Sequence, residues 1–243
     1  DQPKHVAESS DLVITCVKDA DAVNQVLFGQ DGLVAGKQAG MTVADMSTIN
    51  PSSAKEFSKK LHNEGIKSLE IPVMGGPNVA IDGKLVLMAS GDEEVFEEYR
   101  EVFDTIASKT FFLGESGSAH SIKLAMNLQI SLLALSLAEG ITLTRKAGFD
   151  PEKFLEILNS TYFSTGMSQN KAYKMIRDEY QPTFTLKNLK KDLDAITAAA
   201  KDFGAVLPIA ERANEIYKDA ENAGFGEIDY TGILEYIKKL SRD

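Results

Sequence analysis

Cysteine occurs once in these 243 residues, at Cys16, so an internal disulfide is impossible. Cys16 lies in the apolar run Leu12 to Val17, where a buried and inert thiol is expected. A chain without disulfides fits a reducing compartment, and the cytoplasm is the expected location. Histidine is nearly as scarce. His5, His62 and His120 are scattered, with no HExxH and no paired CxxC, so no metal site is expected. No GxSxG elbow precedes a helix either, which argues against serine hydrolysis.

Positive charge is also in short supply, with 26 Lys and Arg against 36 Asp and Glu and a formal net charge of -10. Such a field repels phosphate backbones and anionic lipid, and no Lys/Arg-rich run with interleaved aromatics breaks it. Neither nucleic acid nor a membrane is an expected partner. The longest strongly apolar stretch, Leu128 to Ala138, falls short of the roughly 20 residues that span a bilayer. No secretory signal, internal repeat or low-complexity tract is legible.

What the chain does have is a hydrophobic content of 43%, enough for a genuine core. Two halves with different patterning share it. Up to about Gly114, short runs at Leu12 to Val17, Met41 to Met46, Lys67 to Val73, Leu85 to Ala89 and Thr110 to Leu113 read as strands. Helices lie between several of them: Asp19 to Phe28, Pro51 to Asn63 behind the capping Asn50, and Asp92 to Ala107 with an acidic first turn. Strands alternating with helices predict a sheet with helices on its faces, whose open edge is where a nucleotide lies.

After Gly117 the strand signal stops. Ser118 to Lys146 is one helical pattern, about 43 Å long if continuous. Its apolar residues cover most of its circumference, which predicts burial by other helices or by a second subunit. Helices follow at Pro151 to Ser160, Ser168 to Asp178, Thr185 to Phe203, Pro208 to Ala223 and Tyr230 to Ser241. The second half is expected to be all-helical.

Three features carry chemistry. Lys123 and Asn127 stand four residues apart near the start of the long helix, so their side chains leave one face a turn apart. On spacing alone, a solvent-facing lysine at a domain junction is the commoner arrangement. Pro72-Val73-Met74-Gly75-Gly76-Pro77 follows a strand, and its paired glycines can turn sharply and offer N–H groups to a carboxylate, or simply form a turn. Asp45-Met46-Ser47-Thr48-Ile49-Asn50-Pro51 joins a strand to a helix, where hydroxyls in such sheets face ligands and where Asn50 also caps the helix.

Taken in order, these pieces resemble the β-hydroxyacid dehydrogenases, the family of 3-hydroxyisobutyrate dehydrogenase. The match runs through Asp45-Met46-Ser47-Thr48, the Pro72 to Pro77 loop with Asp82-Gly83-Lys84-Leu85, Gly117 with Lys123 and Asn127, and Phe184-Thr185-Leu186 with Lys191-Asp192-Leu193. The resemblance implies an α/β Rossmann-type NAD(P)-binding domain over 1–116, followed by an all-α domain over 117–243. The long interdomain helix is the spine of the second domain, which helps to build the active-site cleft. It also implies oxidation of a small 3-hydroxy acid with NAD or NADP, and a homodimer or homotetramer. Under it Lys123 is the catalytic acid/base, Met74, Gly75, Gly76 and Asn127 bind substrate, and Val17, Lys18, Thr48 and Lys191 contact the cofactor. Phe184 would belong to an apolar wall and Asp192 would stand behind Lys191.

The departures are informative. Family members open with a strand, a GxGxxG loop and a helix, whereas this sequence starts at Asp1 just before a later strand, so the Rossmann-type domain is expected to be N-terminally truncated. The family usually has Ser in place of Met74, Gly in place of Ala119 and Pro in place of Lys18, which bears on the substrate more than on the reaction type. Two alternatives to the 3-hydroxy acid dehydrogenase stay open: a reductase of glyoxylate or succinic semialdehyde on the same scaffold, and a non-catalytic dinucleotide-binding interaction module.

Overall fold

The computed structural model describes residues 2–241. Six strands form one sheet: β1 (Leu12–Thr15), β2 (Thr42–Asp45), β3 (Lys67–Glu70), β4 (Val73–Met74), β5 (Leu85–Gly91) and β6 (Ala107–Phe112). They lie in the order β1-β2-β3-β5-β4, with β6 on β5. The first three are parallel, β5 runs antiparallel to β3 and β4, and β6 is parallel to β5. Among the described residues the twelve α-helices are α1 (Pro3–Ala7), α2 (Ala20–Phe28), α3 (Pro51–Asn63), α4 (Pro77–Ile81), α5 (Glu93–Glu98), α6 (Arg100–Ile106), α7 (Ser118–Lys146), α8 (Pro151–Asn159), α9 (Gly166–Ile176), α10 (Leu186–Phe203), α11 (Pro208–Ala220) and α12 (Ile233–Leu240).

The helices start where side chains can satisfy their free N–H groups. Asp19, Asn50, Asp92, Asp150 and Thr165 each accept a backbone N–H at the first turn of α2, α3, α5, α8 and α9. Along β2 every residue is buried, because successive side chains enter opposite faces of the sheet and both faces are covered. Val43 joins a cluster with Val23, Leu27, Phe57 and Leu61, and Ala44 joins another with Leu69, Leu87, Phe96 and Phe103. This is the Rossmann-type arrangement expected for the first half.

Several boundaries differ from expectation. The run Lys67 to Val73 is two strands, β3 and β4, because Pro72 has no N–H to give a ladder and the chain breaks there. The helix expected over Asp92 to Ala107 divides at Tyr99 (φ -110, ψ 11), and β6 begins at Ala107, three residues before Thr110. Cys16 is exposed and not buried. It follows β1, along which Val13 and Thr15 are buried and Ile14 is 39% exposed. Partial desolvation and the charge of Asp45 push its thiol pKa up.

The chain divides into two compact units, Asp1–Ala125 with Ala198–Gly204, and Met126–Thr197 with Ala205–Asp243. In the second, Tyr217 is fully buried and its hydroxyl donates to the Ser131 carbonyl at 3.3 Å. Lys171 pairs with Asp229 at 2.8 Å, and Asp229 also accepts from Thr183 and Thr231. Contrary to the short apolar stretch expected, α7 as a whole is long and apolar enough to cross a membrane by length and composition. Its buried residues include Asn127 and Ser131, which bond within the protein, as in a core helix.

Candidate active site

Lys123 stands in the second turn of α7, half-buried, and its Nζ donates to Met74 Sδ at 3.2 Å. Met74 is the last residue of β4, so the helix and the glycine loop meet through this contact. Gly75 has φ +134, and a Cβ there would stand 2.7 Å from Leu85 Cδ2 and 3.0 Å from Val79 Cγ1. Only glycine suits that backbone and that space. Gly76 is extended and caps α4, and both glycines are exposed, leaving their backbone open to a ligand.

The ends of β1 and β2 are tied together. Val17 N donates to Ser47 Oγ at 3.0 Å, and that hydroxyl donates to Asp45 Oδ1 at 2.7 Å. Asp45 Oδ1 also accepts from Thr15 Oγ1 at 2.7 Å and Ser47 N at 3.3 Å. The bonds fix Val17 and Lys18 next to the loop carrying the half-buried Thr48. The Lys18 side chain is 77% exposed, 3.3 Å from Asp19 Oδ2. Carboxyl ends of adjacent parallel strands are where dinucleotides lie in such sheets, and these backbone and hydroxyl groups suit one.

Asn127 and Lys191 belong to the second unit. Asn127 is buried and donates through Nδ2 to Asp192 Oδ2 at 2.6 Å, while Lys191 Nζ lies 2.8 Å from Asp192 Oδ1. Asp192 thus joins the two predicted residues and sits directly between them. Phe184 packs edge-on to Tyr230, with ring centroids 6.0 Å apart.

Sequence reading passed over a buried polar cluster behind these loops. Asp45 and Glu70 are cross-strand partners at the ends of β2 and β3, and His120 Nε2 lies 4.0 Å from Asp45 Oδ2 and from Glu70 Oε2. Burial pushes the fully enclosed imidazole down to about 3, so it is neutral and these contacts are not ion pairs. Burial also raises both carboxyls, and hydrogen bonds from Thr15 and Ser47 to Asp45, and from Ser116, Ser90 and Gly117 to Glu70, oppose that rise. A cavity of about 20 Å³ adjoins Asp45, Glu70, Ser90 and His120. The available signal was an acid closing each of two adjacent strands. Among the described residues, no group of three or more His, Cys, Asp or Glu is placed to hold a metal ion.

Residues 1–114 match the family described as the NAD binding domain of 6-phosphogluconate dehydrogenase. Residues 117–237 match the one described as NAD-binding of NADP-dependent 3-hydroxyisobutyrate dehydrogenase. The chain belongs to the β-hydroxyacid dehydrogenase family. It is 31% identical, over 97% of its length, to glyoxylate/succinic semialdehyde reductase 2, chloroplastic, of Arabidopsis thaliana. It is 28% identical over 96% of its length to the cytokine-like nuclear factor N-PAC of Aedes aegypti. The chain spans 66% of the first relative's length and 42% of the second's. Among solved structures it resembles a 3-hydroxyisobutyrate dehydrogenase from Salmonella typhimurium, with a TM-score of 0.88 and 27% identity over 97% of this chain and 82% of that one.

Proposed function

We propose that the protein is an NAD(P)-dependent oxidoreductase that interconverts a small 3-hydroxy acid, of the 3-hydroxyisobutyrate kind, and its carbonyl product, with Lys123 as general acid/base. The observation that carries this reading is the meeting of Lys123 Nζ with Met74, directly beside the exposed backbone of Gly75 and Gly76. A proton-transferring amine and a carboxylate-holding loop are the two parts that a hydroxy acid requires. Bound nicotinamide supplies the hydride acceptor, which no side chain can be.

In oxidation the Lys123 amine takes the hydroxyl proton, and in reduction the ammonium returns it. The Gly75 and Gly76 N–H groups hold the substrate carboxylate, with Met74 shaping the pocket beside them. Val17, Lys18 and Thr48 face the cofactor from the ends of β1 and β2. Asn127 and Lys191, joined through Asp192, bind substrate and cofactor respectively.

A second reading, reduction of glyoxylate or succinic semialdehyde, is favoured by the name of the 31% identical relative. Both differ from a non-catalytic binding module, which has no use for a proton-transferring lysine. Steady-state rates with a panel of hydroxy acids and small aldehydes, each with NAD and NADP, separate the three. Turnover of 3-hydroxy acids supports the first, selective aldehyde reduction the second, and cofactor binding without turnover of any panel member overturns both.

A homodimer or homotetramer goes with this reading, since α7 leaves Ile122, Met126 and Leu143 exposed at 46%, 42% and 72%. Sedimentation at micromolar concentration tests it, and a stable monomer overturns it. The lone Cys16 leaves no internal disulfide to maintain, which suits a cytoplasmic location.

A further inference from the structure

Glu70 and Asp45 close neighbouring strands, in register across the β2/β3 ladder, and each sends its carboxylate into the core. Their partners differ. Glu70 Oε1 accepts from Gly117 N at 2.6 Å and from the Ser116 hydroxyl, and Oε2 accepts from Ser90 Oγ at 2.8 Å. Ser90 Oγ in turn accepts from Ala119 N at 3.2 Å. Glu70 and its neighbour Ser90 therefore take the free N–H groups at the start of α7, the helix that carries Lys123 six residues after Gly117. Asp45 instead takes Thr15 and Ser47, and through the Ser47 hydroxyl it fixes Val17 N.

A local, neutral side chain would cap α7 without bringing a charge into a core. What a carboxylate 47 residues away adds is the coordinates of the helix relative to the strand. That strand leads within four residues to Met74, the contact of Lys123. Gly117 itself has φ +91, a backbone that favours glycine. His120 Nε2 lies 4.0 Å from both acids and its ring is neutral, so it forms an ion pair with neither. Each is held by its hydrogen-bond donors, which makes those donors the determinants of geometry.

We propose that Glu70 and Asp45, which both lie beside the buried ring of His120, are positioning residues for the reaction. Glu70 sets the start of α7, and so Lys123, against the Met74 to Gly76 loop. Asp45 sets Val17, Ser47 and Thr48 on the cofactor side. The assignment rests on the acid/base role proposed for Lys123, and both acids are buried.

The test uses the full chain with its nicotinamide cofactor and the variants Glu70→Gln, Glu70→Ala, Asp45→Asn and Ser116→Ala. Glu70→Gln should lower kcat, by up to about 100-fold as for an ångström-scale misplacement of a reacting group, with cofactor KM unchanged. Glu70→Ala should be worse, and the Gln variant should recover part of the loss. Asp45→Asn should show the opposite split, with a raised cofactor KM and little change in kcat. Ser116→Ala, which removes one donor from Glu70 without burying a new group, should give a weaker form of the Glu70 effect and serves if the Glu70 variants fail to fold. Alongside, the NMR titration of ¹³C-labelled Lys123, assigned with Lys123→Arg, should move by more than about half a pH unit in Glu70→Gln and stay put in Asp45→Asn. Variants that lower Tm while leaving kcat, KM and the Lys123 titration unchanged overturn the proposal. If Lys123→Ala retains the parent kcat, the acid/base role fails by itself, and the titration still decides whether Glu70 positions the lysine.

Discussion

Lys123 donates through Nζ to the thioether of Met74 at 3.2 Å, a contact between residues 49 positions apart. A thioether is a weak acceptor that carries no charge, so it can orient the amine without locking the proton onto it. A carboxylate in the same place would do the reverse, because an opposite charge favours the ammonium form.

Met74→Ser therefore should change which substrate is preferred more than whether the reaction occurs. The shorter side chain takes the acceptor away from Lys123 and widens the space beside Gly75. A modest change in the ratio of kcat/KM between two hydroxy acids is expected, of the order of the 1 to 3 kcal/mol typical of small pocket changes. Competition between a 3-hydroxy acid with a β-methyl group and one without it measures this ratio, and an unchanged ratio would show that residue 74 lies outside the pocket.

Gly75→Val should be far more damaging. At φ +134 a branched residue is strained, and its Cβ would press on Leu85 and Val79. The loop must move, taking the Gly75 and Gly76 N–H groups away from a carboxylate. Substrate KM should rise at least tenfold, about 1.4 kcal/mol of lost binding, while cofactor affinity is retained. Equal activity of this variant would show that the loop is not the anion site.

Local signals account for what was legible beforehand. α3 and α7 begin and end as read, since Asn50 with Pro51 marks one start and the chain from Ser118 to Lys146 holds no proline to interrupt it. The strand–loop–helix order around Thr48, and the glycine loop after β4, were equally visible. What escaped depends on tertiary neighbours. Cys16 reads as buried because an apolar run does not by itself show which of its residues face outward, and Lys67 to Val73 reads as one strand although Pro72 divides it. His120 looks like a stray histidine because its surroundings, Asp45 and Glu70, lie 75 and 50 residues earlier in the chain. Asn127 was read as a neighbour of Lys123 along the helix, while its hydrogen bond goes to Asp192 on α10.

His120 should make the protein sensitive to acid. Its native imidazole resists protonation down to about 3, whereas in the unfolded chain it takes a proton near its ordinary value of 6.5. A base whose native value is depressed loses stabilisation as pH falls, here between 6.5 and 3, with a limiting slope of about 1.4 kcal/mol per pH unit. Asp45 and Glu70 act in the opposite sense just above the ordinary carboxylate range, because burial makes the native state hold their protons longer. Comparison with His120→Gln isolates the histidine. The stability difference between parent and variant, from urea unfolding, should be larger at pH 7.5 than at pH 5.5 by about 1 kcal/mol. A pH-independent difference would mean that the imidazole is already reachable by protons in the native state.

Lys123 itself offers the most direct trial of the chemistry, because the proton that leaves the alcohol must have an acceptor while the hydride departs. Lys123→Ala should lower kcat at least about 100-fold, the usual loss for a general acid/base, with cofactor affinity nearly unchanged since Val17, Lys18 and Thr48 are untouched. Lys123→Arg should fail almost as badly, because a guanidinium keeps its proton near neutral pH and its planar fork cannot follow the amine's path to Met74. In the parent enzyme the rate of alcohol oxidation should rise with pH as the lysine gives up its proton, and this limb should vanish in Lys123→Ala. Asn127→Ala should be milder or comparable, and it should combine non-additively with Lys123→Ala if the two act as one unit. Should Lys123→Arg keep the parent kcat and pH profile, the lysine serves only as a charge that holds the substrate, and the proton leaves through water or another group.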